Sequence, residues 1–191
     1  MGPGKGVFSV SSFYHSLIGE RMASFPWQMI WYAGIPPKVS FFVWTATLNR
    51  ILTLDNLIRC RQVLVNWCCM CRAAVESIGH LLLHCMVATE LWSLILAIFK
   101  VQWVQPRSVT TALWSWQGGR VDKRRRKAWM YAPFCLMWSI WLERNKRTFQ
   151  DVACSVVSLK SRLLSVLLSW VSGRVDPDLY SFLNSLDDLV T

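Results

Sequence analysis

The chain has 191 residues, 53% of them apolar and 17% charged, which excludes an intrinsically disordered protein, since disorder needs low hydrophobicity and high charge. Twelve Trp need a core or a partner surface to cover them. Fourteen Arg and seven Lys against 11 acids give a net charge of +10, which points to an anionic partner, nucleic acid or lipid headgroup, without choosing between them.

Residues 7–18 alternate loosely and predict a short strand or extended arm. Pro26 and the pair Pro36-Pro37 punctuate the next stretch, and Pro37 suits the first position of a helix, where its missing N–H costs nothing. Val39, Phe42, Val43, Ala46 and Leu48 follow near helical spacing, with Phe41 and Trp44 widening the apolar face. Thr53 then stands as the N-cap of a second, shorter helix over Leu54 to Ile58. Leu91, Trp92, Ile95, Leu96 and Phe99 read as a buried helix stripe. Gln102 to Gly119, with Pro106 and Gly118-Gly119, reads as loop-rich. A helix with a basic entry is expected over 123–149, a Leu/Val-rich amphipathic one over 155–171, and an acidic tail from Asp176.

Two runs test for membrane insertion. Ala128 to Leu142 is 15 residues long, contains Pro133 and lies between basic clusters. Leu81 to Phe99 is longer but carries His84 and Glu90. A span needs about 20 apolar residues, so both runs are read as buried helices and a membrane partner is not expected.

Four of the seven Cys and two of the three His fall between Cys68 and Cys85. The opening Met1-Gly2-Pro3-Gly4-Lys5-Gly6 does not read as a secretory signal, so reduced thiols or metal ligation in an intracellular chain are expected over a disulfide scaffold. Cys68, Cys71, His80 and Cys85 are spaced C-x2-C-x8-H-x4-C. Three thiolates and an imidazole make a closed tetrahedral set, the usual pattern for a structural Zn2+ ion. One objection is geometric: on a regular helix His80 shares a face with His84 at i,i+4, not with Cys85 at i,i+5. Cys85 as fourth ligand requires the helix to tighten or stop near His84; His84 is the alternative. Cys69 does not substitute for Cys68, because C-x1-C forms no knuckle. Cys60, Cys135 and Cys154 are read as core thiols.

These residues belong to a longer pattern. Phe8-Ser9-Val10-Ser11-Ser12-Phe13-Tyr14, the stretch from Trp27 to Trp31, Ile35-Pro36-Pro37-Lys38-Val39, Phe41-Phe42-Val43-Trp44 and Asn49-Arg50-Ile51-Leu52-Thr53-Leu54-Asp55-Asn56-Leu57 occur in the order found in plant reverse transcriptase zinc-binding domains of LINE-type non-LTR retroelements. The Cys/His segment resembles that family's C-P-x-C…E-x-x-x-H-L-x-x-x-C, with Cys69 in place of the customary Pro. Trp138-Ser139-Ile140-Trp141-Leu142-Glu143-Arg144-Asn145 resembles the W-x-I-W-x-x-R-N segment that often follows. The resemblance implies zinc ligation by Cys68, Cys71, His80 and Cys85 and a role linked to nucleic acid. No polymerase Tyr/Phe-x-Asp-Asp turn is present, Asp187-Asp188 being preceded by Ser185-Leu186, and residues 120–191 offer no RNase H carboxylate set. The expectation is therefore a detached, non-catalytic piece of a retroelement protein, with no small-molecule substrate.

The expected fold is mainly α: a small irregular zinc-knuckle helical domain over 6–100, a linker over 101–122, a helical region over 123–172 and an acidic tail over 173–191. The candidate nucleic-acid contacts are Arg120, Lys123, Arg124, Arg125, Arg126 and Lys127, a run that also suits nuclear import, together with Arg59, Arg61 and Arg72 beside the knuckle. They predict weak, sequence-independent binding to RNA or DNA. Trp27, Trp31, Trp44, Trp67 and Trp92 are candidate base-stacking rings, although helical spacing favours the core for Trp44 and Trp92. The competing readings are a metal-free helical interaction protein and a peripheral membrane protein.

Overall fold

The computed structural model describes residues 25–173. The expected arm at 7–18, the motif Phe8 to Tyr14 and the tail from Asp176 lie outside them. Among the described residues the chain is mainly helical: α1 (Trp27–Ile30), α2 (Pro37–Thr47), α3 (Leu54–Arg59), a π-helical turn (His80–His84), α4 (Met86–Phe99), α5 (Val109–Gln117), a 3-10 turn (Lys123–Arg125), α6 (Arg126–Gln150) and α7 (Val156–Ser172).

The centre of the fold is α6. Every residue from Trp129 to Ile140 is buried, because α2, α4, α5, α7 and the π-turn all pack against this helix. A helix that is apolar all round needs such a jacket. That accounts for the apolar run Ala128 to Leu142, and no described helix is long and apolar enough to cross a membrane.

Pro133 sits inside α6. Lacking an N–H, it leaves the carbonyl of Trp129, four residues earlier, without its helical donor. The Trp116 indole Nε1–H from α5 donates to that carbonyl at 2.8 Å, and Trp129 Nε1–H donates to the Trp116 carbonyl at 3.0 Å. The two rings stack with centroids 3.8 Å apart. A Cβ at Gly119 would lie 2.4 Å from the Trp129 ring, so the turn after α5 passes this pair only as glycine.

The loop-rich reading of Gln102 to Gly119 is corrected by α5. Ser108 caps it, accepting from the Thr111 N–H, and Thr111 Oγ1 accepts from the Ser108 N–H in return. Val109, Ala112, Leu113 and Trp116 line its buried face. Pro106 and the Gly pair bound the helix, and they had masked it.

Two other elements differ in detail. Phe41 is exposed and so does not widen the buried face of α2. Thr53 has the extended backbone of an N-cap, but its hydroxyl donates to Asp55 and makes no cap bond. Glu76 caps α3 instead: its carboxylate accepts from the Leu54 N–H at 3.0 Å.

Candidate metal centre

The knuckle is built by local backbone turns. Cys68 N–H donates to the Ala74 carbonyl and Arg72 N–H to the Cys68 carbonyl, both at 2.9 Å. Arg72 takes a left-handed φ of 52°, which turns the chain back after Cys71. Asn66 Oδ1 accepts from the Glu76 N–H at 2.8 Å and ties the two arms of the loop together.

The other two donors come from the π-turn. Cys85 N–H donates to the His80 carbonyl at 2.6 Å, an i+5 to i bond. This wider turn places residue i+5 over residue i, and the chain leaves helical geometry at Cys85, where ψ is 139°. The geometric objection to Cys85 is thereby answered. The helix stops there as required, but it widens instead of tightening.

Cys68, Cys71, His80 and Cys85 bring four ligand atoms within 4.8 Å of one another. Cys68 Sγ lies 4.0 Å from Cys85 Sγ, and Cys71 Sγ lies 3.3 Å from His80 Nε2. Ideal tetrahedral bonds of about 2.3 Å to sulfur and about 2.05 Å to nitrogen give edges of about 3.8 Å and about 3.6 Å. The donor set and its spacing fit one zinc-sized ion. Cys68 and Cys85 are fully buried. The hydrogen bond between them, and then burial, raise Cys68, while the same bond lowers Cys85. That bond therefore keeps the proton on Cys68 and favours the thiolate at Cys85. Burial, with the neighbouring His84, lowers His80 and favours the neutral imidazole that a metal requires. His84 itself is exposed and outside the cluster.

Helix α6 grips this knuckle from outside. The Arg147 guanidinium donates to the carbonyls of Met70 at 3.1 Å and Cys69 at 3.5 Å, between Cys68 and Cys71. The Cys69 thiol faces the Arg144 carbonyl and Thr148 Oγ1 on the same helix, away from the four donors. Arg144 is ion-paired to Glu76 at 2.8 Å, with both side chains buried. Glu143 accepts from Arg147 Nε, the Cys154 N–H and the Cys154 thiol. Arg144 and Arg147 escaped the sequence reading as contributors to the centre. The only signal, for Arg144 alone, was the Trp138 to Asn145 segment, which puts an Arg after a Trp-rich helix face without naming its partner; Arg147 lies outside that segment.

The basic run divides. Lys123, Arg124, Arg125 and Arg120 are exposed. Arg126 donates to the carbonyls of Gly119 and Gln117, and Lys127 to the Val171 carbonyl in the last turn of α7. Those two cations are occupied in closing the ends of α5 and α7. Arg59, Arg61 and Arg72 are exposed. Among the candidate stacking rings Trp31 and Trp67 are exposed, whereas Trp92 is buried.

Residues 8–92 match the family model described as zinc-binding in reverse transcriptase. A protein of Arabidopsis thaliana described as "Putative ribonuclease H protein" is 30% identical over 92 residues, which is 46% of this chain and 15% of that relative. This chain therefore spans a small part of the relative's length. No solved structure matches the chain. The helical architecture and the Cys/His cluster of the described residues agree with the match of residues 8–92 to the family model for zinc-binding in reverse transcriptase.

Proposed function

We propose that Cys68, Cys71, His80 and Cys85 hold one structural Zn2+ ion and that the domain so ordered gives a non-catalytic module with weak affinity for RNA or DNA. The observation that carries this reading is the convergence of the four donor atoms within 4.8 Å. Four protein ligands close the coordination sphere, so the ion would order backbone and leave no position for a reacting water. In a small unit with an irregular loop from 60 to 80, binding energy at such a site is folding energy. The nucleic-acid part is supported by the +10 charge and by the exposed side chains of Arg120, Lys123, Arg124 and Arg125.

Two measurements on the full chain test it. Chelation of the metal should unfold the loop around the knuckle and lower the thermal midpoint, with recovery on returning zinc and not magnesium. Binding to a labelled duplex should weaken steeply with salt, with a log–log slope of about −0.9 per phosphate contact. Replacing Arg124 and Arg125 with Gln should flatten that slope without changing zinc content. A salt-independent interaction, or none at about 50 mM salt where electrostatics are strongest, removes the nucleic-acid part. A thermal midpoint indifferent to chelation removes the zinc part.

A further inference from the structure

A groove of about 490 Å3 lies between the C-terminal end of α2 and the 56–60 side of α3. Its basic side chains are Arg50 and Arg59, and no Asp or Glu lines it. Both are exposed, and neither side chain has a hydrogen bond or ion pair among the described residues. The nearby Asp55 is turned to the Thr53 hydroxyl at 2.5 Å. The groove thus holds two unneutralised guanidinium groups in a concavity of the size that takes a nucleotide-scale ligand.

Its walls are fixed by the way both helices end. Asn49 is left-handed, with φ 59°. Asn49 N–H donates to the Ala46 carbonyl and Arg50 N–H to the Thr45 carbonyl, the paired bonds of a Schellman closure. Arg61, also left-handed, closes α3 the same way, with bonds from Arg61 N–H to Ile58 and from Gln62 N–H to Leu57. Asn56 then cross-links the turn, donating to the carbonyls of Asn49 and Ile51. Arg50 and Arg59 therefore project from two locked helix ends, and little backbone entropy remains to be lost on binding. A second cavity, lined by Arg120 and Arg125, also contains Asp122, which opposes an anion there.

We infer that the Arg50/Arg59 groove is a seat for the phosphodiester backbone of a nucleic-acid strand, separate from the basic run at 120–125. Two guanidinium forks suit the paired oxygens of a phosphate, and the exposed Leu52 offers the adjoining sugar an apolar surface. This inference rests on the nucleic-acid reading above and gives that reading a specific site.

The test uses the zinc-loaded full chain, a fluorescein-labelled single-stranded 12-mer and anisotropy at low salt. Exchanging both arginines for Gln (R50Q/R59Q) should weaken binding roughly tenfold and reduce the salt slope by about 1.4, the share of two single-strand contacts. The charge-preserving R50K/R59K should restore most of the slope. Cys60 lines the same groove and is exposed, so a bound strand should slow its alkylation by maleimide. Wild-type binding with R50Q/R59Q unchanged in affinity and slope, and Cys60 alkylated at the free rate, would overturn the groove and leave the broader reading standing. Absence of wild-type binding would remove both. Selective loss of binding to phosphatidylserine vesicles, with oligonucleotide affinity intact, would reassign the groove to a headgroup and also overturn the inference.

Discussion

Arg144 on α6 donates through Nε and an Nη to both carboxylate oxygens of Glu76, at 2.8 to 3.3 Å, and both side chains are buried. Glu76 lies between the knuckle cysteines and His80, and the same carboxylate caps α3 through the Leu54 N–H. One carboxylate thus joins the central helix, the loop that carries the Cys/His cluster and the start of α3. Removing one partner of a buried pair leaves the other charge uncompensated, which costs about 3–5 kcal/mol. Arg144→Met should lower the denaturant midpoint accordingly and accelerate zinc release to a chelator. Glu76→Leu combined with Arg144→Met should recover part of the loss, because no lone charge remains.

The exchange between Trp116 and Trp129 predicts a coupling with Pro133. Trp116→Phe keeps an aromatic ring but strips the donor from the Trp129 carbonyl, which costs about 1–3 kcal/mol for a buried unsatisfied group. In a Pro133→Ala background the Ala N–H can serve that carbonyl, so the penalty of Trp116→Phe should shrink. A double-mutant cycle by urea denaturation measures the difference. Equal penalties in both backgrounds would mean that the indole bond contributes nothing beyond packing.

Glu143 gives the fold an acid sensitivity. Burial acts to raise its carboxyl, but hydrogen bonds from Cys154 and Arg147 outweigh burial and hold it below its ordinary value of 4.5. Its folded-state value lies below the unfolded one. The ionised form therefore contributes stability that is fully present above the unfolded value and is lost as pH falls through the folded value. Unfolding free energy should decline on acidification below about pH 4.5, and Glu143→Gln should make that decline shallower. A variant with an unchanged acid limb would assign the sensitivity to other carboxylates.

The cluster of four donor residues was legible because C-x2-C and H-x4-C are local spacings with few chemical alternatives. The helices were legible where apolar periodicity was strong, as in α2, α4 and α7. What escaped was non-local or masked. No sequence period relates Glu76 to Arg144, 68 residues apart, and nothing local announces that Arg147 will hold the Met70 carbonyl. The π-turn at His80 was foreshadowed only as a conflict between the zinc spacing and α-helical geometry. Lys127 and Arg126 looked like members of a phosphate strip, since a charge run does not reveal which of its members will be drawn to neighbouring carbonyls. Among the thiols expected in the core, Cys135 is fully buried, Cys154 is half-buried and Cys60 is exposed.

The most direct measurement is the zinc content of the purified 191-residue chain and of three single variants, by elemental analysis after extensive dialysis. Wild type should retain about one zinc per chain, as one closed tetrahedral site requires. Cys69→Ala and His84→Ala should retain the same amount, because Cys69 faces α6 and His84 is exposed. Cys85→Ala should lose tight binding. Zinc retained by Cys85→Ala and lost by His84→Ala would contradict the ligand set, and no zinc in the wild type would contradict the metal centre altogether.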